Sequence, residues 1–224
     1  SLLLQPWTQP AIAGLPPGNP IKDPYAILRN ALPIQQKDLR ELQHKLEETS
    51  DLVRGSRWPA VAKAASSSQF IVSNRKNQIL KAIPEERRKR AETILTSLKP
   101  DLETLGELAS DKDKLGFINK RRQILKKVGD IEALLLSEDF PYAIPEEFNN
   151  LPRLLGRADV SIKTTKGTMH AVIDGYNAPL TAGAFIDLAQ KGFYDGLPFA
   201  RAEEFYVLQS GDPKGPDQGY IDPE

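Results

Sequence analysis

The segment from Gly192 to Asp212 reads GFYDGLPFARAEEFYVLQSGD, and it decides how the C-terminal part of the chain is interpreted. Phe199 and Arg201 are two residues apart, so in a strand both side chains would share one face. The β-prone run from Phe205 to Gln209 predicts a second strand, which the turn signal Ser210-Gly211-Asp212 closes. An arginine and a glutamine on two short apolar strands are suited to binding a peptide backbone.

From this segment outward, the chain resembles the cyclophilins along an ordered series of motifs. The core motif of that family places Phe-His-Arg on one strand and Phe-Met-x-Gln-Gly-Gly-Asp on the next. This chain has Phe199-Ala200-Arg201 and then Tyr206-Val207-Leu208-Gln209-Ser210-Gly211-Asp212, so the arginine and the glutamine keep the motif spacing. Three further motifs of the family have counterparts in this chain. Its strand pair is matched by Val160–Ile173, and its helix with Ala-Pro-x-Thr and Phe is matched by Ala178-Pro179-Leu180-Thr181 and Phe185. Its Gly-Phe-Tyr-Asp-Gly loop is matched by Gly192–Gly196.

The resemblance implies a peptidyl-prolyl isomerase site that needs no metal and no cofactor. Arg201 is the candidate catalytic residue, because a permanently charged guanidinium can donate to the prolyl nitrogen when the twisted amide localises its lone pair. Gln209 would orient the substrate backbone, since its amide both donates and accepts. Tyr206 and Val207 would line the proline pocket, and Phe199 is a further candidate for substrate binding.

Each candidate also has a purely structural interpretation. Arg201 could form a salt bridge with Glu203 or Glu204 on the same segment. Gln209 could be a strand residue that bonds a loop, and Tyr206 could simply fill the core.

Three departures from the motif bear on the chemistry. Ala200 replaces the histidine, Ala184 replaces an asparagine before Phe185, and Tyr206 and Val207 replace phenylalanine and methionine. These departures favour a protein that binds proline-containing segments with weak or no isomerisation over a fully active enzyme.

Composition excludes several other classes of protein. The 224 residues carry 30 basic and 30 acidic side chains, and this zero net charge argues against a general nucleic-acid binder. No apolar run approaches the ~20 residues of a membrane helix, so we expect a protein that is peripheral to a membrane at most. There is no cysteine for a disulfide framework, and the two separate histidines, His44 and His170, indicate no metal site.

Apolar residues recur at helical spacing through the N-terminal half of the chain. Asp23-Pro24 predicts the start of a first helix, and the stripe in 36–54 predicts a second helix that Gly55 ends. A third helix is predicted from Trp58 to Ile83, with the Ser66-Ser67-Ser68 run as a weak point.

Prolines predict where the later helices break. Pro84 ends the third helix before a new one over 85–98, and Pro100 separates that helix from one over 102–108. A last helix is predicted over 115–136 after a kink or loop at 111–114. An antiparallel bundle within one chain is the simplest arrangement, and a zipper with a partner protein is the alternative. The basic run Arg87-Arg88-Lys89-Arg90 indicates a solvated helix face or, alternatively, a patch for an acidic partner.

The sequence therefore predicts an α+β protein in four parts. We expect an extended N-terminal arm over 1–22, an all-α helical bundle over 23–139, a Pro-rich connector over 140–157 and, over 158–224, the first part of a cyclophilin-like antiparallel β-barrel. A hairpin over 159–174 and a helix over 181–190 are predicted within that last part. The aromatic residues of the connector predict intramolecular docking of the bundle on the cyclophilin-like domain.

A second resemblance covers the whole chain. The motifs Pro20-Ile21-Lys22-Asp23-Pro24, Phe140-Pro141-Tyr142 and Asp174-Gly175-Tyr176-Asn177-Ala178-Pro179 resemble the plant and algal thylakoid-lumen cyclophilins with an N-terminal helical domain. That resemblance implies the chloroplast thylakoid lumen, a role in photosystem II assembly and repair, and photosystem II subunits or their lumenal loops as partners. Two alternatives stay open: an active isomerase regulated by its helical domain, and a helical scaffold that binds a phosphatase-like regulator.

The same resemblance bears on activity. The family's later strands, which supply the rest of the proline pocket, have no counterpart in residues 158–224. We therefore expect residues 1–224 alone to show no isomerase activity.

Overall fold

The structure is a computed structural model, and it describes residues 24–137, 139–203 and 207–214. The chain divides into two compact units, which meet in sequence between Pro141 and Tyr142. The first unit is helical and the second combines short antiparallel sheets with a helix, so the predicted α+β class is confirmed. The predicted N-terminal arm, the Asp23 cap and residues 215–224 lie outside the described residues.

The first unit is a helical bundle, as predicted. Its helices are α1 (Pro24–Ala31), α2 (Lys37–Arg54), α3 (Trp58–Asn74), α4 (Lys76–Ala82), α5 (Glu85–Ser110) and α6 (Lys114–Ala133). The stripe predicted for α2 is confirmed, because Leu39, Leu42, Leu46 and Val53 are all buried. They form one apolar core with side chains from the other helices, among them Ile71, Ile79, Leu95, Leu102, Phe117 and Ile124. None of the helices in the described ranges is long and apolar enough to cross a membrane.

Helix α5 passes through Pro100 without interruption, so the predicted break there is wrong. A proline inside a helix removes one backbone hydrogen bond and costs about 3 kcal/mol. Pro100 lies on the exposed side of α5, while the opposite side is buried before and after it through Ala91, Leu95, Leu98, Leu102, Leu105 and Ala109. Burial of this continuous stripe stabilises the helix by more than the proline destabilises it.

The third predicted helix is two helices in the structure. The serine run leaves α3 intact, and the break falls instead at Arg75, which has φ −113° and ψ 8°. The guanidinium of Arg75 donates to Asp38 and Glu41 of α2, each at 2.8 Å. The break therefore lies at a residue that is ion-paired with a distant helix, a contact that local sequence does not reveal.

Two short links reverse the chain between neighbouring helices. Helix α2 ends at Gly55 as predicted, but the left-handed residue is Ser56, with φ +53°, and not the glycine. Helices α5 and α6 are joined by a tight turn in which Lys112 has φ +57°. Asp113 then caps α6 by accepting a hydrogen bond from the Gly116 amide at 2.9 Å.

Arg40 of α2 joins three helices near one end of the bundle. Its guanidinium donates to the carbonyls of Arg29 and Leu32, at 2.9 and 2.6 Å, and so caps the C-terminal end of α1. It also lies 3.4 Å from the carboxylate of Glu132 on α6, a side chain with no exposed area. Because an uncompensated buried carboxylate is costly, this pair constrains how α1, α2 and α6 assemble.

The second unit contains two separate two-stranded sheets and one α-helix within the described residues. Its elements are a short 3-10 helix (Glu146–Phe148), β1 (Arg157–Thr164), β2 (Gly167–Asp174), α7 (Pro179–Gln190), β3 (Arg201–Glu203) and β4 (Val207–Gln209). Strands β1 and β2 pair antiparallel from Arg157↔Asp174 to Thr164↔Gly167, which confirms the predicted hairpin. The residues predicted as the core of α7, Phe185, Ile186 and Leu188, are only half-buried.

The end of the connector segment packs on the second unit through two glycines. A β-carbon on Gly175 would lie 2.7 Å from the Gly156 carbonyl oxygen, and one on Gly183 of α7 would lie 2.5 Å from the backbone nitrogen of Arg153. The Leu154 amide also donates to the Pro179 carbonyl at 2.9 Å. These contacts fix where α7 begins, and α7 leads into the candidate site.

Candidate functional site

Arg201 and Gln209 occupy directly opposed positions in the antiparallel pair β3–β4. Side chains of directly opposed residues project from the same face of a sheet, with β-carbons about 5 Å apart. The side chains of Arg201 and Gln209 therefore project from one face, and those of Ala202 and Leu208 project from the other. A donor fork beside a group that both donates and accepts can engage a peptide carbonyl and amide together.

The backbone beside this pair departs from a regular ladder. The Ala200 amide donates to the Gln209 carbonyl at 2.8 Å, although Gln209 is the register partner of Arg201. Two residues, Ala200 and Arg201, thus oppose one, which is the arrangement of a β-bulge. Bulges increase local twist and redirect side chains, and they are common beside functional sites.

Phe199 lies before β3, which begins at Arg201, and its side chain is 44% exposed. Phe199 and Arg201 were predicted to share a face of one regular strand, but the bulge at Ala200 interrupts that strand. Tyr206 and Glu204 lie outside the described residues, and so do the side chains of Glu203 and Val207. Their roles, including a salt bridge from Arg201 to either glutamate, stay predictions.

The loop between α7 and β3 supports the hairpin with an aromatic cluster. Helix α7 ends in a Schellman motif, in which Gly192 has φ +72° and the Phe193 amide donates to the Leu188 carbonyl at 3.0 Å. The rings of Phe185 and Phe193 pack on Tyr194, with centroids 5.2 and 5.1 Å away. Burial in this cluster raises the pKa of the Tyr194 phenol, so its hydroxyl stays protonated at neutral pH.

The far end of β4 is held by this loop from two sides. A β-carbon on Gly211, which has φ +122°, would lie 3.7 Å from the Tyr194 ring. On the other side, the Ser210 hydroxyl donates to the Pro198 carbonyl at 2.9 Å. Sequence reasoning missed Ser210, although one signal was available: the cyclophilin motif has a glycine at this position.

The two histidines each have a protein partner. His170 lies 3.1 Å from the Ser161 hydroxyl, and His44 lies 2.8 Å from Glu48. In the described ranges no three metal-binding side chains converge. A shallow groove of about 580 Å³ between α3 and α5 is lined by bundle residues alone, including Ser66, Gln69 and Glu103, and it contains none of the predicted site residues.

Comparison with known families matches both units. The family described as "Peptidyl-prolyl cis-trans isomerase CYP38-like, PsbQ-like domain" matches residues 23–136. The family described as "Cyclophilin type peptidyl-prolyl cis-trans isomerase/CLD" matches residues 159–224. Together these two matches cover the helical bundle and the segment that carries β1 to β4.

Curated relatives show the same combination over most of the chain. The thylakoid lumen peptidyl-prolyl cis-trans isomerase sll0408 of Synechocystis is 49% identical over 98% of this chain and 58% of its own length. The chloroplastic peptidyl-prolyl cis-trans isomerase CYP38 of Arabidopsis thaliana is 36% identical over 96% of this chain and 51% of its own length. The chain thus spans about half the length of these relatives. On these matches, the chain belongs to the CYP38-like family of peptidyl-prolyl cis-trans isomerases, in which a PsbQ-like helical domain precedes a cyclophilin-type domain.

Proposed function

We propose that this chain belongs to a cyclophilin-like chaperone of the thylakoid lumen that acts in photosystem II assembly and repair. It binds proline-containing segments of client proteins, namely photosystem II subunits or their lumenal loops, with weak or no prolyl isomerisation. The observation that carries the proposal is the direct opposition of Arg201 and Gln209 on one face of β3–β4. The proposed location is supported by two relatives, whose names place them in the thylakoid lumen and in the chloroplast.

The physical basis for binding is the pairing of complementary polar groups. A guanidinium presents a rigid fork of donors that matches a peptide carbonyl, and a carboxamide can meet the neighbouring amide and carbonyl. Among the described residues the Gln209 carboxamide has no hydrogen-bond partner, so it is available to a peptide. Phe199, two residues before β3 and 44% exposed, offers an apolar surface in the same segment.

The basis for weak catalysis is the difference between binding a peptide and binding its twisted form. Isomerisation of an X-Pro bond crosses a barrier of about 18–20 kcal/mol, and only contacts that strengthen in the transition state lower it. Arg201 retains the donor suited to the prolyl nitrogen, whereas Ala200 provides no side-chain donor beside it. A site that binds the cis form, the trans form and the twisted transition state equally well binds clients without accelerating their isomerisation.

The test compares binding and catalysis in the complete protein. Wild type, Arg201→Ala, Gln209→Ala and the exposed control Lys166→Ala are titrated with lumenal-loop peptides of photosystem II subunits and with the same peptides carrying alanine for proline. We expect the two site variants to weaken binding of the proline peptides about tenfold, a loss of about 1.4 kcal/mol each. Lys166→Ala and wild type should bind alike, and wild type should prefer the proline peptides.

Exchange NMR on the same peptides separates the two candidate functions. Weak or absent isomerisation by wild type supports the chaperone. Fast isomerisation that Arg201→Ala abolishes supports the active enzyme, which is the second candidate because the arginine and the glutamine of the motif are both retained. Unchanged peptide affinity in both site variants contradicts the site itself.

Docking of the bundle on the cyclophilin-like unit stays a prediction from the Pro-rich connector. Its test is the peptide affinity of the complete protein with and without residues 23–139. Tighter binding after removal of the bundle supports docking over the site, and equal affinity contradicts it.

A further inference from the structure

The last residue of β4 and the first residue after it are each hydrogen-bonded to the segment that precedes β3. One bond is made by backbone alone, from the Ala200 amide to the Gln209 carbonyl at 2.8 Å. The other comes from a side chain, since the Ser210 hydroxyl donates to the Pro198 carbonyl at 2.9 Å. Both bonds lie at the end of the hairpin where Arg201 faces Gln209.

The side-chain bond acts where the backbone ladder is weakest. Strands β3 and β4 contain three residues each, and a two-stranded hairpin of this size is marginally stable by itself. The bulge at Ala200 ends the regular pairing, and Pro198 has no amide proton with which to extend it. The Pro198 carbonyl belongs to the peptide unit that enters Phe199, so holding this carbonyl fixes the backbone that leads to Arg201.

The segment that follows Gln209 at the end of β4 is also held in place. Gly211, the next residue after Ser210, packs against the ring of Tyr194, and Tyr194 is anchored on α7 through Phe185. The Leu197 amide donates to the Tyr194 carbonyl at 3.2 Å, so the ring and the Pro198 carbonyl belong to one continuous turn. Ser210 therefore closes a small ring of contacts that links α7, the loop after it and the end of β4.

We propose that Ser210 is a positioning residue for the peptide site and keeps Arg201 in register with Gln209. Its role as positioning residue rests on the proposed function, because it acts through these two side chains and not on the peptide. A glycine at this position, as in the cyclophilin motif, has no hydroxyl, so this chain carries an additional hydrogen bond at its bulge. Loss of the bond should let the segment 198–200 separate from β4 more often.

The experiment compares Ser210→Ala, Ser210→Gly and the conservative Ser210→Thr in the complete protein. Two quantities are measured: hydrogen exchange of the Ala200 amide and affinity for the proline-containing lumenal-loop peptides. We expect exchange to be about three- to tenfold faster and affinity about two- to fivefold weaker in the alanine and glycine variants, the size of one exposed hydroxyl bond. Ser210→Thr retains the hydroxyl and should restore both values.

Ser161→Ala is the matched control, because Ser161 is also an exposed serine with a side-chain hydrogen bond, to His170 on β2. It should leave the Ala200 amide and peptide affinity unchanged. Faster exchange with unchanged affinity in Ser210→Ala overturns the positioning role, and unchanged exchange overturns the bond itself. If wild type binds no proline peptide, the proposed function fails, whereas the exchange measurement still decides whether Ser210 holds the segment.

Discussion

Gly183 of α7 packs directly against the backbone of Arg153, so that a β-carbon on Gly183 would lie 2.5 Å from the Arg153 nitrogen. The same β-carbon would lie 2.5 Å from the Pro152 carbonyl oxygen. Both neighbours are backbone atoms, which cannot rotate away as the end of a side chain can. The packing of 152–154 on α7 therefore requires glycine at this position.

Gly183→Ala should destabilise the second unit by about 2–3 kcal/mol, because the methyl group forces the connector backbone off the helix. The bundle should keep its stability. Hydrogen exchange detected by mass spectrometry measures the two units separately in one sample. Equal protection of residues 157–190 in wild type and Gly183→Ala would contradict the close contact.

Gly106→Ala is the matched substitution on α5, and the opposite result is expected. A β-carbon on Gly106 meets no atom within 4 Å, and the residue lies in the interior of a regular helix. Alanine should therefore stabilise the bundle by about 0.5–1 kcal/mol through lower backbone entropy in the unfolded chain. The midpoint of urea unfolding, followed by helical circular dichroism, measures the gain, and a loss of stability would show that the site is more crowded than the structure indicates.

Pro100→Ala should also stabilise the bundle. The substitution restores an amide that can donate to the Thr96 carbonyl within α5, and the exposed position requires no repacking. Because proline also restricts the unfolded chain, we expect a net gain of about 1–2 kcal/mol. Lys99→Ala, at the exposed position next to it, should change the unfolding midpoint little. A destabilised Pro100→Ala variant would mean that α5 depends on the proline.

Arg40 and Glu132 should behave as a coupled pair in a double-mutant cycle. Arg40→Met or Glu132→Gln alone should cost about 3 kcal/mol, because each removes one charge from an ion pair whose carboxylate is buried. The double variant should cost clearly less than the sum of the two. The exposed pair Lys126–Asp130, at 3.2 Å, is the control and should show a coupling of about 0.5 kcal/mol or less. Additive effects at Arg40 and Glu132 would contradict the coupling.

Acid should weaken the contact between α5 and α6 at Asp101. Burial by itself raises the pKa of the Asp101 carboxyl. Hydrogen bonds from Lys127 at 2.6 Å and Lys120 at 3.3 Å have the opposite and larger combined effect, so the pKa lies below its ordinary value. A carboxyl with a lowered pKa in the folded state stabilises the protein above its unfolded pKa of about 3.9, and this stability is lost as the pH falls through the folded pKa.

The Asp101→Asn variant measures this contribution. At pH 7 it should be about 1 kcal/mol less stable than wild type to urea, and the difference should shrink as the pH falls through the folded pKa of Asp101. A difference that stays constant over the whole acid titration of Asp101 would show that this residue contributes through packing and not through its charge.

Local patterns were sufficient for the elements that one segment can specify alone. The stripe Leu39, Leu42, Leu46 and Val53 predicted the buried face of α2, because apolar spacing and helical periodicity are properties of a single segment. The hairpin β1–β2 was predicted from its alternation and the turn before Gly167 in the same way. The order of the motifs around Phe199-Ala200-Arg201 predicted the family, because spacing along the chain needs no coordinates.

The continuity of α5 through Pro100 was decided by tertiary structure, and so were the contacts that Arg75 makes at the break between α3 and α4. Helix continuity at a proline depends on how much apolar surface other helices bury on either side, and the ion pairs of Arg75 join it to carboxylates of α2. The bulge at Ala200 and the Ser210 bond depend on the loop after α7, which lies outside both strands. Each involves contacts between different structural elements, and periodicity within one segment carries no information about such contacts.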